Sequence, residues 1–225
     1  MVADDSRYGV LASSAEHELE IKRSRFLGYA ERVTSEAEAR DYIELIRAEH
    51  RLARHHCTAF TLGPERRIQR SNDDGEPSGT AGVPMLDALT KFVRPGAASP
   101  DLSDIIVVVV RYFGGVLLGA GGLVRAYSDT VSQTLAAAKF LTRERLARYA
   151  VEAPIAQVGR WENELRAAGV EVLGTEYGPA SATLRLAVPD QPDAREPFLT
   201  RLASITSGEA EPTELEPSWV DVSRR

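Results

Sequence analysis

Cysteine occurs once in the 225 residues, at Cys57. A single thiol cannot close an internal disulfide, so a disulfide-stapled scaffold is excluded and a cytoplasmic home is expected. Long apolar runs are also absent. The longest, Ile105 to Val110, suits a buried strand and falls far short of the roughly 18 residues that span a bilayer. No membrane partner is expected, and the acidic opening MVADDSRYG does not read as a signal peptide. Lysine is scarce: Lys22, Lys91 and Lys139 are the only three among 27 basic residues. Arginine suits planar contacts with phosphate and bases, although a genome-wide codon bias leaves the same mark. A strong charge of either sign is lacking too. The net charge is −6, with 17 basic against 19 acidic residues up to Thr142 and 10 against 14 after it. Neither half can bind nucleic acid by bulk charge, so no DNA partner is expected and RNA would need a local patch.

What is present is ordinary globular material, 43% hydrophobic and 27% charged. His17 to Val33 reads as a long strand or hairpin arm. Ser35-Glu36-Ala37-Glu38 is a capping box opening a helix with Ala39, Tyr42, Ile43 and Ile46 as its apolar stripe. His56 to Leu62 is a strand, and Gly63 to Gly82 a long polar loop without periodicity. Pro84 sits in the first turn of a helix running to about Val93. Ile105 to Arg111 is a central strand, followed by a Gly-rich turn and a helix from about Gly121 to Lys139. After Phe140 the pattern changes. Strand 145–153, helix 154–168, a hairpin of 170–177 and 180–188, helix 197–205 and strand 210–216 give the order βαββαβ, a ferredoxin-like arrangement. The expected fold class is α+β in two domains, 1–142 and 143–225.

Three features could carry chemistry. In Ser71 to Gly82, the carboxylates of Asp73, Asp74 and Glu76 lie close together. They could hold a hard cation, but calcium-loop spacing is absent and no metal is expected. Asx turns, with Ser78 or Thr80 capping the next helix, explain the same residues. The amides from Gly79 to Gly82 form a candidate anion site at a helix start. In Arg111 to Tyr127, Gly114, Gly115, Gly119, Gly121 and Gly122 lie between a buried strand and a helix. Strand, Gly-rich turn, helix is a context that holds phosphates, with Arg111 and Arg125 as cations. No dinucleotide or Walker spacing is met, and no cofactor is expected. The same glycines would also let the helix pack closely on the sheet. In Arg54-His55-His56-Cys57, His55 and Cys57 share a strand face, either as a Cys-His pair or as satisfied core residues. Arg47, Arg51 and Arg54 form a basic stripe if the preceding helix extends that far.

Taken together, Lys22-Arg23-Ser24-Arg25-Phe26, Arg54-His55-His56-Cys57, Ser71-Asn72-Asp73-Asp74-Gly75-Glu76-Pro77, Gly79-Thr80-Ala81-Gly82 and Val109 to Tyr127 resemble the YigZ/IMPACT family. The resemblance implies an N-terminal α/β domain of the superfamily that includes domain IV of elongation factor G. It implies a second domain similar to domain V of that factor. It therefore implies association with RNA or the ribosome and a part in translation regulation. Eukaryotic members carry an additional N-terminal domain, for which the residues before Lys22 leave no room, so their kinase-pathway partner is not carried over.

Two functions follow as expectations. One is a non-enzymatic protein that holds RNA phosphates through Arg111, Arg125 and the Gly114 to Gly122 amides. The other is an enzyme acting on a small phosphorylated or carboxylated metabolite, with Asp73, Asp74 or Glu76 as acid, base or metal ligand.

Overall fold

The computed structural model describes residues 6–222, so the ends of the two expected domains, 1–5 and 223–225, lie outside the described residues. The chain divides into two compact units, Tyr8–Thr142 and Arg143–Val222, the second taking in Ser6 and Arg7 as well.

The first unit holds β1 (Arg7–Leu11), β2 (Ala15–Ile21), β3 (Ser24–Arg32), α1 (Glu36–Glu49), β4 (His55–Leu62), β5 (Ile68–Asn72), α2 (Gly82–Lys91), β6 (Ile105–Tyr112) and α3 (Ala120–Ala137). Its sheet runs β2-β3-β6-β4-β5, and every neighbouring pair is antiparallel. The apolar run Ile105 to Val110 makes β6 the centre, because a strand buried on both faces needs no polar alternation. On one face Phe26, Cys57, Val107 and Val109 pack with Met85, Leu89, Tyr127 and Val131 of α2 and α3. On the other, Leu27, Phe60, Ile106, Val108 and Val110 pack with Ala39 and Ile46 of α1. Ser35 caps α1 as its motif predicts, its hydroxyl accepting from the Glu38 amide at 3.2 Å.

The second unit follows the order β7 (Phe140–Pro154), α4 (Ile155–Ala167), β8 (Glu171–Tyr177), β9 (Ser181–Pro189), α5 (Pro192–Ile205), β10 (Pro212–Val222), and its five-stranded sheet runs β1-β7-β9-β8 with β10 also paired to β7. Its own core gathers Tyr149, Val151, Trp161, Leu165, Leu184 and Phe198.

The structure corrects several expectations. Gly63 to Gly82 is not one loop: it contains β5. Every residue of that edge strand is exposed, so no side was left to write an alternating pattern. β1 was not expected either; its Tyr8, Gly9, Val10 and Leu11 are buried and give no alternation. The last strand runs to Val222, and α5 starts at Pro192, which is at home in a first turn while Pro197 lies inside the helix. α1 ends at Glu49, so Arg51 and Arg54 are beyond it and the stripe Arg47/Arg51/Arg54 does not lie on one helical face.

Candidate functional site

The antiparallel registers bring several segments to one end of the first sheet. Arg25 lies opposite Tyr112, and His55 opposite Arg111. The C-terminal end of β6 therefore meets the start of β4, the β2–β3 turn and the approach to α3. His50, which caps α1, reaches the same end. Its ring nitrogens bond the hydroxyls of Tyr112 and Tyr29 at 2.9 and 2.8 Å. Burial lowers the His50 pKa, which favours the neutral ring such a bridge between two hydroxyls uses.

The acidic loop is pinned beneath this end, and each of its carboxylates has a task. Asp73 accepts from the amides of Gly79, Ala81 and Gly82 at 2.8, 3.0 and 2.8 Å. Burial raises its pKa, but these three amides outweigh burial and hold the carboxyl below the usual carboxylate range. Asp73 thus caps α2 from nine residues upstream of Gly82. Neither Ser78 nor Thr80 does so, contrary to expectation; the Thr80 hydroxyl donates to the Pro77 carbonyl instead. The Gly79 to Gly82 anion site expected from the sequence is already filled by this internal carboxylate. Asp74 accepts from Arg47 at 2.9 Å and from the His56 amide at 2.7 Å. Glu76 is buried, and its Oε1 accepts from Arg111 at 2.6 Å and from the Tyr127 hydroxyl at 2.8 Å. Among the described residues, no group of three or more His, Cys, Asp and Glu is placed to hold a metal ion.

Arg111 is therefore not a surface clamp. It is 7% exposed, lies 5.4 Å from the Phe26 ring centroid and 5.6 Å from that of Phe113, and is committed to Glu76. A buried cation without that partner would be costly. His55 and Cys57 share a face, as their spacing predicts, and both bond the acidic loop: His55 Nδ1 lies 2.9 Å from the Asp74 carbonyl, and the thiol donates to that of Asp73 at 3.0 Å. Burial pushes the Cys57 thiol up to about 12, which removes it as a thiolate nucleophile at neutral pH. Burial, then Cys57 and Glu76, push the Tyr127 hydroxyl far upward, so it serves as a donor.

The outer rim is different in character. Lys22, Arg23, Arg54 and Arg125 are exposed, and among the described residues none of them makes an ion pair or a side-chain hydrogen bond. Arg51 is exposed and donates only to the Ala48 carbonyl. Lys22 and Arg23 form the two-residue turn between Ile21 and Ser24, both at positive φ, 48° and 65°. Gly114 follows β6 by two residues, and its amide donates to the Ser24 hydroxyl at 3.1 Å. A Cβ at Gly114 would overlap the Arg23 carbonyl, so glycine alone lets this loop seat on the cationic turn. Gly115 and Gly119 take φ of 83° and 74°, and Gly119 caps α3 with no side-chain bond. Gly121 and Gly122 open that helix, which has no acidic residue in its first turn. Composition and periodicity single out neither Lys22 nor Arg23, which enter only through the family resemblance; two adjacent cations at the tip of a tight hairpin are the signal that marks them.

Comparison with known proteins bears on this arrangement. The family model for the Impact N-terminal domain matches residues 22–135. The chain belongs to the IMPACT family. A model described as a domain of unknown function, DUF1949, matches residues 151–209. The chain is 43% identical over 159 residues to IMPACT family member YvyE of Bacillus subtilis, covering 71% of this chain and 70% of that one. It is 36% identical to IMPACT family member YigZ of Escherichia coli over 191 residues, 84% and 88% of the two chains. A crystal structure described as that of a hypothetical protein superposes with a TM-score of 0.61 at 33% identity, covering 94% of this chain and 98% of that one. The stretch matched to the Impact N-terminal domain runs from before Arg23 to beyond Arg125, so in this IMPACT family chain the whole rim and the pinned loop lie inside it. Among the described residues no helix is long and apolar enough to cross a membrane.

Proposed function

We propose that this IMPACT family chain binds RNA, free or within the ribosome, through the cationic end of its first sheet, and regulates translation in the cytoplasm by doing so. One observation carries the reading: Lys22, Arg23 and Arg54 lie at that end, in the β2–β3 turn and just before β4, and Arg125 is exposed near the start of α3, none with an acidic partner among the described residues. Uncompensated cations on one surface are what phosphate neutralisation requires, whatever the net charge of the chain. The Gly121 and Gly122 amides at the start of α3 add partial positive charge. Arg111 and the acidic residues act behind the surface by holding the loop in place. The order βαββαβ, with β7 paired to both β10 and β9 and β9 to β8, supports a ferredoxin-like second unit similar to elongation factor G domain V; that the first unit is similar to domain IV is part of the same proposal.

Co-sedimentation with ribosomes and anisotropy with labelled RNA, each across a salt series, test the proposal. Association at low salt that weakens steeply between 50 and 200 mM is expected. Absence of association at low salt, or an affinity indifferent to salt, sinks it.

A further inference from the structure

We infer that the RNA taken by this surface is single-stranded, with an unpaired base stacked on Phe113. The inference rests on the RNA-binding reading above and names the class of RNA. Phe113 leaves the end of the buried central strand, yet the residue is 52% exposed. It is held from within. The Arg111 guanidinium lies between the Phe26 and Phe113 rings, and Glu76, itself bonded to Tyr127, fixes that guanidinium. Phe113 is thus a supported aromatic face rather than a loose surface side chain. The next residue, Gly114, is seated on the main chain of Arg23, which sets the Phe113 backbone beside the Lys22-Arg23 turn.

An exposed ring with free cations at its side matches the demands of a single strand. Its bases offer their faces to aromatic side chains while its phosphates meet Lys and Arg. A continuous duplex keeps its base faces stacked on one another and can offer this surface only phosphates and sugars. Arg111 behind the ring adds a cation–π contribution that steadies the platform.

The test uses the full chain with a labelled 12-nucleotide single-stranded RNA and with the duplex of the same sequence, in anisotropy titrations at several salt concentrations. The single strand is expected to bind more tightly than the duplex. Phe113→Leu is expected to weaken the single strand about tenfold, the size of one lost stacking contact, while leaving the duplex and the salt dependence unchanged. Phe113→Trp is expected to retain single-strand affinity, which separates loss of the aromatic face from loss of folding. Arg125→Gln is expected to weaken both RNAs and to reduce the salt slope by about 1. Equal affinity for duplex and single strand, or a Phe113→Leu variant that binds the single strand as the parent does or weakens both RNAs alike, overturns the stacking inference and leaves the phosphate reading standing. Binding of neither RNA at low salt overturns the reading beneath it.

Discussion

Glu76 is a carboxylate with a 3% exposed side chain, and its Oε1 alone takes the hydrogen bonds of Arg111 and Tyr127. Glu76→Gln keeps the shape but leaves the buried Arg111 without its counter-charge. The expected cost is about 3–5 kcal/mol, read as a lower urea midpoint. Asp73 works through its charge in another way. Its folded pKa lies below the usual value because three backbone amides bind the ionised form more than burial opposes it. Its contribution is therefore present above the unfolded pKa of about 3.9 and is lost as pH falls through the lower folded value. Asp73→Asn should cost about 1–2 kcal/mol at pH 7, the worth of a helix cap. The gap between variant and parent should narrow in unfolding measurements as pH falls below about 4. An equal gap at pH 7 and pH 3 would show that the charge is not what caps α2.

Among the elements, the β2–β3 hairpin makes the clearest trade. A two-residue turn with both central residues at positive φ favours Asn-Gly, whereas here it carries Lys22 and Arg23. Holding non-glycine residues in this region costs on the order of 1 kcal/mol each. Replacing Lys22-Arg23 with Asn-Gly is expected to raise the thermal midpoint while weakening RNA binding, because the strain stays where the cations are needed. If the replacement leaves RNA affinity untouched, the turn is no part of the surface. Elements with an internal signal were readable beforehand: the Ser35 cap with its apolar stripe, the apolar run of β6, and the α3 stripe Leu123, Tyr127, Val131 and Leu135. β5 was not, since an edge strand exposed at every residue has no periodicity to read.

For the whole molecule, the net charge of −6 and the cationic rim are compatible because electrostatic recognition is local within a Debye length of about 8 Å at physiological salt. Reversing two rim charges together, Arg23→Glu with Arg125→Glu, is expected to abolish association with RNA at 150 mM salt while leaving the unfolding midpoint within about 0.5 kcal/mol of the parent, since both residues are exposed. Sequence alone determined most of the element order, the mixed α/β class in two units and the family, because hydrophobic period, caps and the Gly-rich segments are written locally. It also singled out Ser71 to Gly82 and Arg111 to Tyr127 as candidate segments, but not the Lys22-Arg23 turn. It did not determine which charges face outward. Arg111, Asp73, Asp74 and Glu76 resemble surface groups in the chain, and only the fold pairs Arg111 with Glu76, Asp74 with Arg47 and the His56 amide, and Asp73 with the amides of Gly79, Ala81 and Gly82. The antiparallel register of β3, β6 and β4 carries Lys22, Arg23 and Arg54, up to 32 positions apart, to one rim, while Arg125 is exposed on α3, the helix that follows β6. Burial and pairing across such distances are properties of the packed sheet, where a desolvated charge must find a partner and an exposed one need not.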